Sequence, residues 1–168
     1  MQLCFFRHGI AVDKNDPGVN SDRDRALTAE GIRKTHAAAE GLARMELSFD
    51  KILTSPWLRA IQTARIAGEV LGISDRVEEM EELAGDRSAE DVLSRLAGYE
   101  EAERLMLVGH EPLLSACIST LLTSGPSLQI DLKKGGACTV EVERIRSKAG
   151  GTLLWLATSK QLRLMRQS

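Results

Sequence analysis

The chain has 168 residues, 43% of them apolar and 27% charged, which suits one soluble domain with a sizeable core. A net charge of −2, with basic residues scattered among acidic ones, offers no basic field for nucleic acid. No apolar stretch is long enough to span a bilayer, and the amino terminus has no basic n-region or cleavage site, so neither a membrane partner nor a signal peptide is expected. The cysteines Cys4, Cys117 and Cys138 are odd in number and far apart, each within an apolar run. They exclude a disulfide framework or zinc cluster and fit a reducing, cytoplasmic setting.

In chain order, the apolar run Leu3 to Phe6 within residues 2–7 predicts a strand buried on both faces. Residues 9–27 are polar and rich in turn formers, the pattern of a surface loop. In it Asp22-Arg23-Asp24-Arg25 reads as paired, solvated charges. A helix follows from Thr28, through Ile32, His36, Ala39, Leu42 and Ala43 at helical spacing, to about residue 45. Residues 51–55 predict a second strand stopped by Pro56, and 57–72 an amphipathic helix. A third strand is expected at 76–80, a helix at 88–98, a buried strand at 104–108 and a strongly apolar helix at 112–123. Residues 137–145 and 152–158 predict a hairpin at a sheet edge, turned at Gly150-Gly151. Strands alternating with helices imply an α/β fold. The expectation is a single-domain three-layer sandwich over residues 1–168, with a mostly parallel central sheet, helices on both faces and an antiparallel edge.

Ligands of such sheets bind beyond the carboxyl ends of the strands. Three of these strands end in chemically pointed residues: Arg7-His8-Gly9, Ser55-Pro56-Trp57-Leu58-Arg59 and Gly109-His110-Glu111. If they are parallel, Arg7, His8, Arg59 and His110 surround one point. Arginine forks match phosphate oxygens and keep their charge, and a neutral histidine nitrogen is a good nucleophile. Phosphoryl transfer chiefly needs in-line positioning and neutralisation of charge on the equatorial oxygens. Two arginines and a protonated second histidine would supply that without a metal or cofactor. On this ground either histidine qualifies as the nucleophile. Gly9 is read as leaving space for a close-packed oxyanion, and Trp57 as a packing residue.

Arg7-His8-Gly9, the block Ser55-Pro56-x-x-Arg59-Ala60-x-Gln62-Thr63-Ala64, Leu27-Thr28-x-x-Gly31 and Gly109-His110 together resemble the histidine phosphatase superfamily. The short chain and its G-H-E-P form look most like the small bacterial phosphohistidine phosphatases. The resemblance implies that His8 becomes phosphohistidine, that Arg7, Arg59 and His110 bind the phosphoryl group with it, and that water completes the hydrolysis. It also implies a proton donor, at Glu111 or near Glu81 and Glu82. Asp13 and Asp16 are lesser candidates, and Glu111 could equally serve only to complement the helix that follows. A phosphohistidine protonated on its other ring nitrogen leaves as neutral imidazole and asks little of an acid. The expected substrate is a phosphorylated protein, since no long insertion separates the strand ends and an open site results. The alternatives are a small phosphorylated metabolite, as in mutase-like relatives, and a module that recognises phosphate without turnover. A metal hydrolase is disfavoured by the want of a third ligand.

Overall fold

The computed structural model describes residues 1–45, 47–145 and 150–166. Its single sheet has six strands: β1 (Gln2–Arg7), β2 (Lys51–Thr54), β3 (Val77–Glu79), β4 (Arg104–Gly109), β5 (Ala137–Glu141) and β6 (Thr152–Ala157). They lie in the order β3-β2-β4-β1-β5-β6. β3, β2, β4 and β1 are parallel, while β5 runs antiparallel to β1 and β6 antiparallel to β5. The crossover from β1 to β2 leaves a slot that β4 fills later in the chain.

The apolar run of β1 feeds both faces because successive side chains alternate across a strand. Cys4 and Phe6 join Ile52, Met106 and Val108 in a core covered by α1 (Ala29–Arg44), α2 (Leu58–Leu71) and α5 (Ser159–Met165). Leu3 and Phe5 join Leu53, Leu105 and Leu107 on the opposite side, under α3 (Ala89–Leu96) and α4 (Leu113–Thr123). This is the expected three-layer arrangement. Small residues let α1 and α5 approach closely: a Cβ on Gly41 would stand 1.9 Å from the Leu162 carbonyl oxygen. Among the described residues no helix is long and apolar enough to cross a membrane.

Three details depart from expectation. Helix α5 was not anticipated. Its signal was local: the Thr158 side chain accepts from the Gln161 N–H, and Gln161 returns to the Thr158 N–H, a reciprocal cap before one apolar contact, Leu162. The edge hairpin is present, but β5 stops at Glu141 and the connection is longer than a Gly150-Gly151 turn. Both glycine N–H groups instead donate to the Leu121 carbonyl at the end of α4, and a Cβ on Gly151 would stand 2.8 Å from Val140 Cγ1. Finally, the 9–27 loop is exposed over most of its length, as expected, but is pinned at points that the sequence did not show. A bridge pairs Ala11 with Leu27, and a short 3-10 turn (Asp22–Asp24) is hydrogen-bonded to Arg59 at the start of α2.

Candidate active site

The register of the sheet brings the three strand ends level. Arg7 is opposite Gly109, the His8 N–H donates to the Gly109 carbonyl at 3.1 Å, and the Ser55 N–H donates to the Val108 carbonyl at 2.9 Å. The first residues beyond β1, β4 and β2 are therefore His8, His110 and Ser55. The two imidazole centroids are 5.0 Å apart.

The histidines differ in what they offer. His8 Nδ1 lies 2.7 Å from the Gly9 carbonyl oxygen, which can only accept, so Nδ1 carries the proton. The lone pair is then on Nε2, where it accepts from Arg59 Nε at 3.2 Å. His110 presents Nε2 to Ser55 Oγ at 2.8 Å, and its buried Nδ1 has no hydrogen-bond partner among the described residues. Burial lowers the His8 pKa to about 2, helped by His110, Arg59 and Arg7. Burial and then Arg59 lower that of His110 to about 3. The expected protonated second histidine is thus not found: burial beside fixed arginines keeps both rings neutral at neutral pH.

Arg59 stands in the first turn of α2. Pro56 ends the strand segment, and Ser55 Oγ accepts from the Trp57 N–H at 3.2 Å, which sets the helix start. The guanidinium stacks 4.9 Å over the Trp57 ring, and that ring lies 4.6 Å from the His110 ring. Its two terminal nitrogens reach Asp22, one to the carbonyl and one to the carboxylate at 2.8 Å. Two further residues of the motif block bind the neighbouring loop. Thr63 Oγ1 accepts from the Gly9 N–H at 3.1 Å, and Gln62 accepts from the Leu27 N–H at 2.6 Å. Arg7 is held from the other side, by Nη1 donating to the Leu132 carbonyl at 2.8 Å, while its buried Nε is unpartnered among the described residues.

These groups enclose a cavity of about 390 Å³, lined by Arg7, His8, Arg59, His110 and Trp57 together with Asp22, Arg25, Gly85, Glu111 and Lys134. The histidines form its floor, 6% and 2% exposed. The volume is at the low end for small-molecule sites. Arg7, Arg25, Arg59 and Lys134 outnumber Asp22 and Glu111, so the cavity favours an anion.

The carboxylate candidates separate. Glu111 lines the cavity, but its side chain also accepts from the Ser115 N–H at 3.2 Å and from the Ser115 hydroxyl, which ties it to the first turn of α4. Burial pushes its pKa up, and the Ser115 contacts and Arg7 pull partly against that. Glu82 sits in the 3-10 turn Glu81–Leu83, 4.0 Å from Arg95, and Glu81 faces Arg87; neither lines the cavity. Asp13 and Asp16 interact with each other within the loop, also outside it. Asp22 and Arg25 are paired at 2.8 Å, as read from sequence, and Asp22 is exposed, but both also line the cavity. Burial opposes the ionisation of Asp22, yet hydrogen bonds from Arg25 and Arg59 hold its pKa below the usual carboxylate range. Gly9 also has another reason than the one expected. A Cβ there would stand 2.3 Å from Thr35 Oγ1 and 3.2 Å from Leu27, so the missing side chain admits α1 and not an oxyanion. His36 is on the exposed face of α1 beside Glu40. Among the described residues no group of three or more His, Cys, Asp or Glu side chains could hold a metal ion.

Residues 3–85 match the family model described as histidine phosphatase superfamily (branch 1). An uncharacterised protein of Picosynechococcus sp. is 37% identical over 167 residues, covering 96% of this chain and 99% of that protein. The phosphohistidine phosphatase SixA of Escherichia coli K12 is 28% identical over 124 residues, 72% of this chain and 74% of SixA. Among solved structures, the protein histidine phosphatase SixA complexed with tungstate superimposes with a TM-score of 0.83 at 25% identity, covering 96% of this chain and 99% of that one.

Proposed function

The chain belongs to the histidine phosphatase superfamily, and from that premise we propose that it hydrolyses phosphohistidine in a protein through a covalent intermediate on His8, without a metal. The observation that carries the reading is the His8 tautomer. Its proton is committed to the Gly9 carbonyl, so a neutral Nε2 with an available lone pair faces the cavity. That nitrogen is held by Arg59, whose donor can pass to a phosphoryl oxygen as one arrives.

In the first step the His8 Nε2 lone pair attacks phosphorus in line, forming a new N–P bond as the substrate N–P bond breaks. The departing imidazole keeps the proton on its other nitrogen and leaves neutral. Arg7 and Arg59 take the charge of the equatorial oxygens through their forks. His110 adds a neutral donor. Burial is the main cause of the lowered His110 pKa, and an incoming phosphoryl dianion opposes only the smaller contribution of Arg59 and Arg7. In the second step a water oxygen attacks phosphorus, the His8 N–P bond breaks, inorganic phosphate leaves and the water proton passes to the phosphate or to solvent.

Support for a protein substrate comes from the similarity to SixA. The test is trapping in alkaline detergent with labelled phosphohistidine protein, run beside small phosphomonoesters. Wild type is expected to form an acid-labile phosphoenzyme that His8→Ala does not form. A phosphoenzyme in His8→Ala would move the nucleophile elsewhere. No label on wild type would favour a binding module, faster turnover of the esters would favour a metabolite phosphatase, and loss of activity in excess chelator would favour a metal enzyme.

A further inference from the structure

Beside the candidate active site lies a second cavity, of about 420 Å³, whose lining includes Arg7, Lys34, Thr35, Lys133, Lys134 and Arg163. Arg7 and Lys134 line both cavities, so the two share a wall. The new cavity is built by well-fixed backbone. The Gly135 N–H donates to the carbonyls of Arg7 and His8 at 3.0 and 3.1 Å, and the Arg7 N–H donates to the Gly136 carbonyl at 3.0 Å. Gly135 has φ +67°, a left-handed conformation that glycine adopts without a Cβ clash, and the turn sets Lys133 and Lys134 beside the end of β1. Lys34 and Thr35 come from α1, and Arg163 from α5, which packs on α1.

Five cations line this space and no carboxylate does. Arg7 also donates to the Leu132 carbonyl, and two of the five have carboxylate partners outside the cavity. Lys34 pairs with Glu30 and Lys133 with Asp131, each at 2.5 Å, but those carboxylates are 54% and 71% exposed, so solvent weakens the pairing. The local surplus runs against the chain's net charge of −2. Thr35 adds a second kind of signal: it is 1% exposed, lines the cavity, and its Oγ1 has no hydrogen-bond partner among the described residues.

We propose that this cavity is an anion subsite, which receives a carboxylate or a second phosphate carried by the same substrate whose phosphoryl group meets His8. The inference rests on the phosphatase reading above and adds a substrate class: a phosphorylated molecule with another anionic group within a few bonds or one side chain of the first. Arg7, at the shared wall, then lies between the two negative groups.

The experiment compares wild type with the double variant K34A/R163A, neither residue being part of the first cavity. The substrates form two pairs. One is a phosphohistidine peptide flanked by aspartates against the same peptide flanked by asparagines. The other is a short alkyl bisphosphate against its monophosphate. The variant is expected to lose about five- to tenfold more kcat/KM on the doubly anionic member of one pair, two weakly screened charge contacts being removed. The pair affected names the source, side-chain carboxylate or phosphate. Equal losses within both pairs would overturn the subsite. A titration with succinate, followed by the amide NMR shifts of Ile10, Thr35 and Gly135, needs no turnover. Saturable shifts in wild type that K34A/R163A loses support the subsite, and identical curves overturn it. If wild type turns over none of the four substrates, the phosphatase reading fails while the titration still decides the subsite.

Discussion

Arg59 Nε donates to His8 Nε2 at 3.2 Å, so the nitrogen proposed to attack phosphorus is held by the group proposed to hold the phosphoryl oxygens. The contact keeps the imidazole aimed before the substrate arrives. It requires a side chain that can serve His8 and Asp22 at once, which a planar fork does and an ammonium does not. Arg59→Lys keeps the charge and is expected to lower kcat/KM by roughly 10- to 100-fold. Steady-state kinetics beside a thermal melt would check this; a fully active lysine variant would mean that charge alone suffices.

Asp22 occupies the outer edge of the same guanidinium, and a phosphate must share or displace it. Asp22→Asn removes a negative charge from the rim of the cavity. Competitive inhibition by inorganic phosphate should become roughly three- to tenfold stronger. Weaker inhibition would show that the carboxylate serves Arg59 chiefly by orienting it.

Glu111 is the only one of the proton-donor candidates named from sequence that lines the cavity, although Ser115 holds it. Glu111→Gln keeps an acceptor for the Ser115 N–H and removes the proton. Hydrolysis of an alkyl phosphate, whose leaving group needs a proton, is expected to slow by about a hundredfold or more, with a much smaller effect on phosphohistidine. Parallel rate measurements on the two substrates decide it, and equal slowing would count against the leaving-group argument.

Gly9→Ala would drive a Cβ into Thr35 Oγ1, at a cost of about 1–3 kcal/mol for overpacking. In a Thr35→Ala background the cost should fall, because the atom that clashes is gone. Urea unfolding of the four members of this cycle measures the difference.

Acid should destabilise the fold through the two histidines. Their pKa values lie at about 2 and about 3 in the folded protein, below the 6.5 of an exposed imidazole. The unfolded chain therefore binds protons that the folded one refuses once the pH drops below 6.5. The stabilisation is complete above 6.5 and is lost as pH falls toward 3 and then 2, by up to about 1.4 kcal/mol per pH unit for each histidine. Unfolding midpoints between pH 7 and pH 4 should fall more gently in His8→Gln than in wild type.

What could be read before the structure was what local pattern encodes. Leu3 to Phe6 have no polar alternation, so β1 had to be central, and the residues after it had to emerge at a sheet edge. The S-P-x-x-R block carries its own strand stop and helix start, which located Arg59 to within a turn. The rest depends on contacts distant in sequence. Asp22 and Arg25 sit in a charged, turn-rich loop with nothing local to mark them, and only the fold of residues 9–27 back over the strand ends gives them a role. The neutral state of His110 arises from burial and from arginines on two other elements. The need for Gly9 comes from Thr35 on α1. Helix α5 was too short for a periodic signal, although its cap was in plain sight at Thr158 and Gln161.

The slot left for β4 bears on the order in which the protein is made. Residues 1–103 already carry Arg7, His8 and Arg59, but β1 and β2 then lack the strand that separates and joins them. Neighbouring strands sit about 4.8 Å apart, so the two would face a gap of about 10 Å or close up in the wrong register. A chain emerging from the ribosome thus carries Arg7, His8 and Arg59 early, and their strand ends come level only when residues 104–110 take their place between β1 and β2.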